Sequence, residues 1–280
     1  MSLNHRRGIS STLCCLVAIT LLAASQSSAQ RPAGRSITAT YIGNEGVLIS
    51  AGEEQVLIDG LHREYKPDYL FPPPALLSAL ESASQPYNKI DLILVSHLHL
   101  DHFHPESVGL HLQHNKSAQL VSSEQVVSGV KEKFTNYAEI STRVKQITPD
   151  WKSESTVQVG GIKVRVLGLR HSGANFTWIQ NLGHVIELGG KKFLHIGDAD
   201  MTTENFSTFR LHEANIDVAF IPYWFLLSEN GRRLVREQFR PRQIIAIHVP
   251  PAEADNIVRT FSTSNPGTTV FTRILESKSF

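Results

Sequence analysis

Ten residues, 96–105, concentrate this chain's capacity for chemistry: Ser-His-Leu-His-Leu-Asp-His-Phe-His-Pro. They follow residues 90–95, an apolar run broken only by Asp91, so the cluster falls where a buried strand ends and the chain turns out into a loop. Side chains of an extended stretch alternate with a period of two. His97, His99 and Asp101 can therefore project to one side, and His102 follows as the backbone turns. Imidazole nitrogen and carboxylate oxygen are ligands that borderline divalent ions such as zinc accept, and a mixed set suits a hydrolytic site with open coordination positions.

Three more candidates stand where strands are expected to end. His171 follows residues 164–169, Asp198 lies in the turn His195-Ile196-Gly197-Asp198-Ala199-Asp200, and His248 follows residues 244–247. Alone, each reads as a structural or surface residue. Together with the cluster they supply what a pair of metal ions needs.

The elements that must position these groups are legible in outline. Strands are expected at 36–41, 46–50 and 54–58, and Asp59 ends the third just before Gly60. There Asp59 either steadies the metal loop through hydrogen bonds or caps a turn. Residues 61–74 carry Tyr65, Tyr69, Phe71 and three consecutive prolines, which reads as an ordered loop whose aromatics could wall a pocket. Helices are expected at 74–84, 105–113, 123–137, 205–214, 231–239 and 252–262. Strands are expected at 119–122, 144–147, 218–221 and 243–247, with an extended stretch at 268–275. Hairpins turn at Gly160-Gly161 and Gly189-Gly190. Such alternation predicts an α/β sandwich, two packed sheets with helices outside, and residues 30–280 read as one domain.

Smaller expectations concern the surroundings. His104, one turn from the cluster, could support a ligand, whereas His111 and His114 read as solvated. Substrate-facing candidates are Tyr65, Phe71, Phe176, Trp178 and the run Tyr223-Trp224-Phe225, the last equally readable as a packed corner of the core. Arg170 either meets an anionic group or is merely solvated.

Of 280 residues, 41% are hydrophobic and 19% charged, as in an ordinary globular protein. Residues 1–29 differ. Arg6 and Arg7 precede a mostly apolar stretch, 13–24, and Ser27-Ser28-Ala29 offers small residues for cleavage, the pattern of a secretory signal. That predicts a periplasmic or secreted protein with no stable membrane span once the segment is removed; an uncleaved anchor is the alternative. Removal takes away two arginines and no acid, leaving 25 basic against 26 acidic residues and a net charge of −1. Nothing in that balance recommends a nucleic-acid partner. Both cysteines, Cys14 and Cys15, lie in the same segment, so the mature chain has no thiol to act as ligand or nucleophile.

The ordered set His97-x-His99-x-Asp101-His102, His171, Gly197-Asp198 and His248 resembles the metallo-β-lactamase superfamily. Tyr41-Ile42-Gly43, Val56-Leu57-Ile58-Asp59 and residues 217–222 are similar to its broad branch containing ascorbate-phosphate lactonase and N-acylphosphatidylethanolamine phospholipase. The resemblance implies an αββα four-layer sandwich and two divalent ions, zinc first, with iron or manganese also accepted. His97, His99 and His171 would hold one ion; Asp101, His102 and His248 would hold the other; Asp198 would bridge them. A hydroxide shared by the ions would attack an ester, lactone or phosphodiester of a small-molecule substrate, and Asp101 would also orient it. True β-lactamases of this fold generally have Cys, Ser or His in place of Asp198, which counts against antibiotic hydrolysis. A periplasmic β-lactamase and a non-catalytic metal-holding module are the alternatives.

Overall fold

Two seven-stranded sheets dominate the computed structural model, which describes residues 36–280. The export signal expected at residues 1–29 lies outside the described residues. In the first sheet, β1 (Ile37–Gly43), β2 (Gly46–Ala51) and β3 (Glu54–Ile58) form an antiparallel meander. Parallel pairing then carries β3 to β4 (Ile90–Leu94), β5 (Gln119–Ser122) and β6 (Val144–Gln146).

The second sheet repeats the plan. β7 (Glu154–Val159), β8 (Ile162–Arg170), β9 (Gln180–Leu188) and β10 (Lys191–His195) run antiparallel. β11 (Val218–Pro222), β12 (Gln243–Ile247) and β13 (Thr269–Val270) then continue in parallel from β10. Finally β14 (Ser277–Ser279) returns to the first sheet and pairs antiparallel with β1. Of the stretch expected to end the chain extended, 268–275, only Thr269–Val270 is strand; β14 follows beyond it, in the other sheet.

Three apolar layers account for the stacking. Leu92 and Leu94 of β4 face a core between the sheets that also holds Ile186, Phe193 and Phe220. Ile93, pointing the other way, meets Leu80, Val108, Leu112 and Val126 from α1 (Pro74–Glu81), α2 (Pro105–His114) and α3 (Glu124–Lys133). β4 reads as a continuous apolar run because both of its faces are buried. Outside the second sheet, Phe225, Leu234, Ile257 and Phe261 come from the helices at Tyr223–Leu227, Glu229–Leu234 and Ala254–Ser264. The result is the expected αββα four-layer sandwich. No helix among the described residues is long and apolar enough to cross a membrane.

Local chemistry sets the helix ends. Proline stands in the first turn of α1 and α2, where a missing N–H does no harm, and the Ser123 side chain caps α3 by accepting from Val126 N. The single helix expected over 123–137 stops at Lys133 because Phe134 turns inward against α2. Its ring fits only because residue 109 is glycine: a Cβ there would stand 2.2 Å from it. The helix expected over 205–214 is likewise broken, at Arg210, whose φ of 50° is left-handed.

His111 is buried rather than solvated, and its Nδ1 donates to Leu80 O at 2.6 Å. Burial pushes its imidazole down to about 4 despite that bond. An unfolded chain takes up this proton near pH 6.5, the native one only near pH 4, so His111 withdraws stability as pH falls through that window. The effect is about 3 kcal/mol at most. Urea unfolding at pH 7 and pH 5 should accordingly show a smaller acid loss for His111→Leu than for wild type.

Candidate metal centre

Seven side chains converge at the carboxyl ends of strands, where open α/β sheets place their sites. The 97–102 segment follows β4, His171 follows β8, Asp198 follows β10 and His248 follows β12. All seven sequence candidates are brought together. His97, His99, His171 and Asp198 form one group, and Asp101, His102 and His248 another, each with ligand atoms within 4.8 Å of one another.

Asp198 stands between them. Its Oδ2 lies 3.6 Å from His171 Nε2 and 3.9 Å from His97 Nε2, while its Oδ1 lies 3.5 Å from His102 Nε2 and 3.6 Å from His248 Nε2. Asp101 Oδ2 is 3.4 Å from His102 Nε2 and 3.5 Å from His248 Nε2. His97 Nε2 is 3.0 Å from His99 Nδ1 and 3.3 Å from His171 Nε2. Ligands about 2.0–2.1 Å from a tetrahedral ion stand about 3.3–3.4 Å apart, so these spacings fit cations. His102 Nε2, Asp198 Oδ1 and His248 Nε2 are buried without hydrogen-bond partners. Three orphaned lone-pair atoms facing one space fit the same conclusion.

Behind the ligands, partners fix which imidazole nitrogen faces inward. His171 Nδ1 donates to Ser172 O, and His102 Nδ1 donates to Asp59 Oδ2 at 3.0 Å, leaving each Nε2 free to bind. Asp59 also accepts from Ser96 N and Ser96 Oγ. Of its two sequence readings, then, the structure favours the loop-steadying one. Asp59 and His248 hold φ of 44° and 59°, left-handed values that non-glycine residues adopt at a cost and that cluster at functional sites. Gly197, at φ 54°, leaves room where a Cβ would meet Ser96 and Asn181.

Burial pushes His97 well below the usual imidazole range, and His102, His171 and His99 repel its proton further. Burial likewise lowers His99 and His171, so these rings offer neutral lone pairs. Burial would raise Asp101, but His102 and His248 outweigh it and hold the group as carboxylate. His102 is raised, the attraction of Asp101 and Asp198 overcoming its burial.

With this geometry in view, the sequence matches the beta-lactamase superfamily domain over residues 56–272. This chain belongs to the metallo-β-lactamase superfamily. A UPF0173 metal-dependent hydrolase of Thermus thermophilus is 29% identical over 222 residues, covering 77% of this chain and 86% of that relative. Among solved structures, the metallo-β-lactamase fold protein YhfI of Bacillus subtilis aligns with a TM-score of 0.60 at 14% identity, over 88% of this chain and 100% of that one. Zinc-bound PqqB of Methylobacterium extorquens aligns with a TM-score of 0.55 at 14% identity, over 84% and 87%. These distant structures share the fold.

In this superfamily member a pocket of about 370 Å³ opens onto the centre, with Tyr65, Lys66, Tyr69, Leu100 and Phe176 in its wall. Phe176 meets the His99 and His171 rings edge-on, and Trp224 and Tyr69 do the same to His248. A larger hollow of about 480 Å³ lies beside Arg63, which is paired with Glu81; Phe71 faces that one. Phe225 is core, and Arg170 lies over the Trp151 ring at 3.4 Å. His104 meets Ser107 at the start of α2 and His114 is exposed.

Sequence reading missed Asn44 and Glu45. Asn44 Nδ2 donates to Asp101 Oδ2 at 2.9 Å and to Asp101 O, while Asn44 O accepts from His248 N. Between Gly43 and Gly46 the pair looks like any two-residue hairpin turn, which gives no sign of burial. Replacing Asp59 by Asn would keep one acceptor oxygen and set an amide N–H against either Ser96 N or the pair Ser96 Oγ and His102 Nδ1. Metal affinity should fall about 10–100-fold, read by competition with a chelator.

Proposed function

We propose that this chain is an exported hydrolase that works with two divalent ions, zinc first, on an ester, lactone or phosphodiester. In class it is a metal-dependent hydrolase, the description its curated relatives carry, within the metallo-β-lactamase superfamily. The observation behind the two-ion reading is Asp198, whose two oxygens face two separate sets of imidazoles. His97, His99 and His171 hold one ion, Asp101, His102 and His248 the other. When bound, such a pair lowers the proton affinity of water and polarises a carbonyl or phosphoryl oxygen.

The chain's own residues do the rest. Asn44 fixes the carboxylate of Asp101, so that it faces the reacting centre in one orientation. Leu98, Leu100 and Phe176 give an apolar flank that excludes water from one side of the substrate, and Lys66 places a positive charge at the mouth, apt for an anionic group. The pocket's volume suits a small molecule. Export is supported by the Arg6-Arg7 start and the apolar stretch that follows.

Purified protein should carry close to two metal equivalents and lose activity on chelation. His99→Ala and Asp101→Ala should each lower kcat/KM about a thousandfold or more, since several kcal/mol of charge stabilisation are lost, with circular dichroism unchanged. Assays on p-nitrophenyl esters, lactones and bis-p-nitrophenyl phosphate check this, and full activity in Asp101→Ala would sink the assignment. Nitrocefin turnover at ordinary enzymatic rates would instead point to a β-lactamase.

A further inference from the structure

Hairpin turns normally face water, because a buried loop carries backbone groups that need partners. The Asn44–Glu45 turn between β1 and β2 does the reverse, with both residues buried and Glu45 fully so. Its carbonyls are satisfied: Asn44 O accepts from Tyr41 Oη and His248 N, and Glu45 O accepts from His195 Nε2. Its carboxylate is not. Neither oxygen has a hydrogen-bond partner.

The two imidazole nitrogens within ion-pair distance are already engaged. His195 Nε2, 3.5 Å from Glu45 Oε2, donates to the Glu45 carbonyl; His102 Nδ1, 3.9 Å away, donates to Asp59. Burying a carboxylate with no such compensation costs several kcal/mol. A ligand atom of Glu45 also lies within 4.8 Å of those of Asp198 and His248, and Glu45 forms a second such group with Asp59 and His102. Asp198 Oδ1 and His248 Nε2 are orphans too. Three lone-pair atoms from three separate strand ends thus share one space, the arrangement that the ligands of a cation require.

We propose that Glu45 is a further ligand of the second ion, reaching it from the buried side of the site. The inference rests on the two-ion reading above. It makes the second site rich in carboxylate, from Asp101, Asp198 and Glu45, while the first is dominated by imidazole. It also explains why a hairpin tip is driven into the protein: the turn delivers a ligand through Glu45 and positions Asp101 through Asn44.

Crystals of the full chain soaked with Zn²⁺ should show, by anomalous diffraction, a Glu45 oxygen about 2.0–2.2 Å from the second ion. Titration against a chelating indicator should give two equivalents for wild type. Glu45→Gln, similar in size but uncharged, should bind the first ion unchanged and the second at least about tenfold more weakly. Two ions with both Glu45 oxygens more than about 3 Å away would overturn the inference, as would a folded Glu45→Gln that binds both ions as wild type does. Should that variant fail to fold, the wild-type ion positions decide alone. A wild type that binds a single ion would overturn the two-ion reading itself, and this inference with it.

Discussion

The structure depends on a concentration of electron pairs aimed at one another inside the protein. Glu45, Asp59, Asp101 and Asp198 are all buried, and imidazoles face each of them, joined by Ser96 at Asp59 and Asn44 at Asp101. Carboxylates withdrawn from water repel each other strongly unless positive charge stands between them. Only Asp59 is fully served from within, by Ser96 and His102. The rest of the centre turns lone pairs toward one space, a set that could hold metal, and the sheets keep its walls in place.

Their construction explains how that is achieved. Each sheet begins as an antiparallel meander and ends in parallel strands, so both direct carboxyl ends toward the same region. Residues there inherit the rigidity of strands on one side and the freedom of loops on the other. Left-handed backbone at Asp59 and His248 shows that surrounding packing overrides local preference where ligands are held.

Much of this was legible beforehand. The alternation of apolar runs gave the layers, and side chains at strand ends gave the seven convergent groups, because both follow from spacing along the chain. What escaped has a common cause. Asn44 and Glu45 have the sequence of an exposed turn, and only tertiary packing buries them. His111 lies on a helix whose neighbours do not announce that its ring meets the end of α1. The aromatic run at 223–225 divides, Trp224 against His248 and Phe225 in the core, a choice set by helix rotation rather than composition.

One topological detail bears on how the molecule is made. Tyr41 exchanges backbone hydrogen bonds with Leu275 and Glu276, and Phe280 N bonds Ile37 O, so residues 275–280, far along the chain, clamp the strand that leads into the Asn44 turn. His248 also arrives late. A nascent chain emerging from the ribosome therefore presents the 97–102 segment long before its distant partners exist. The full set of seven side chains can therefore close around one space only after residue 248 has joined the fold.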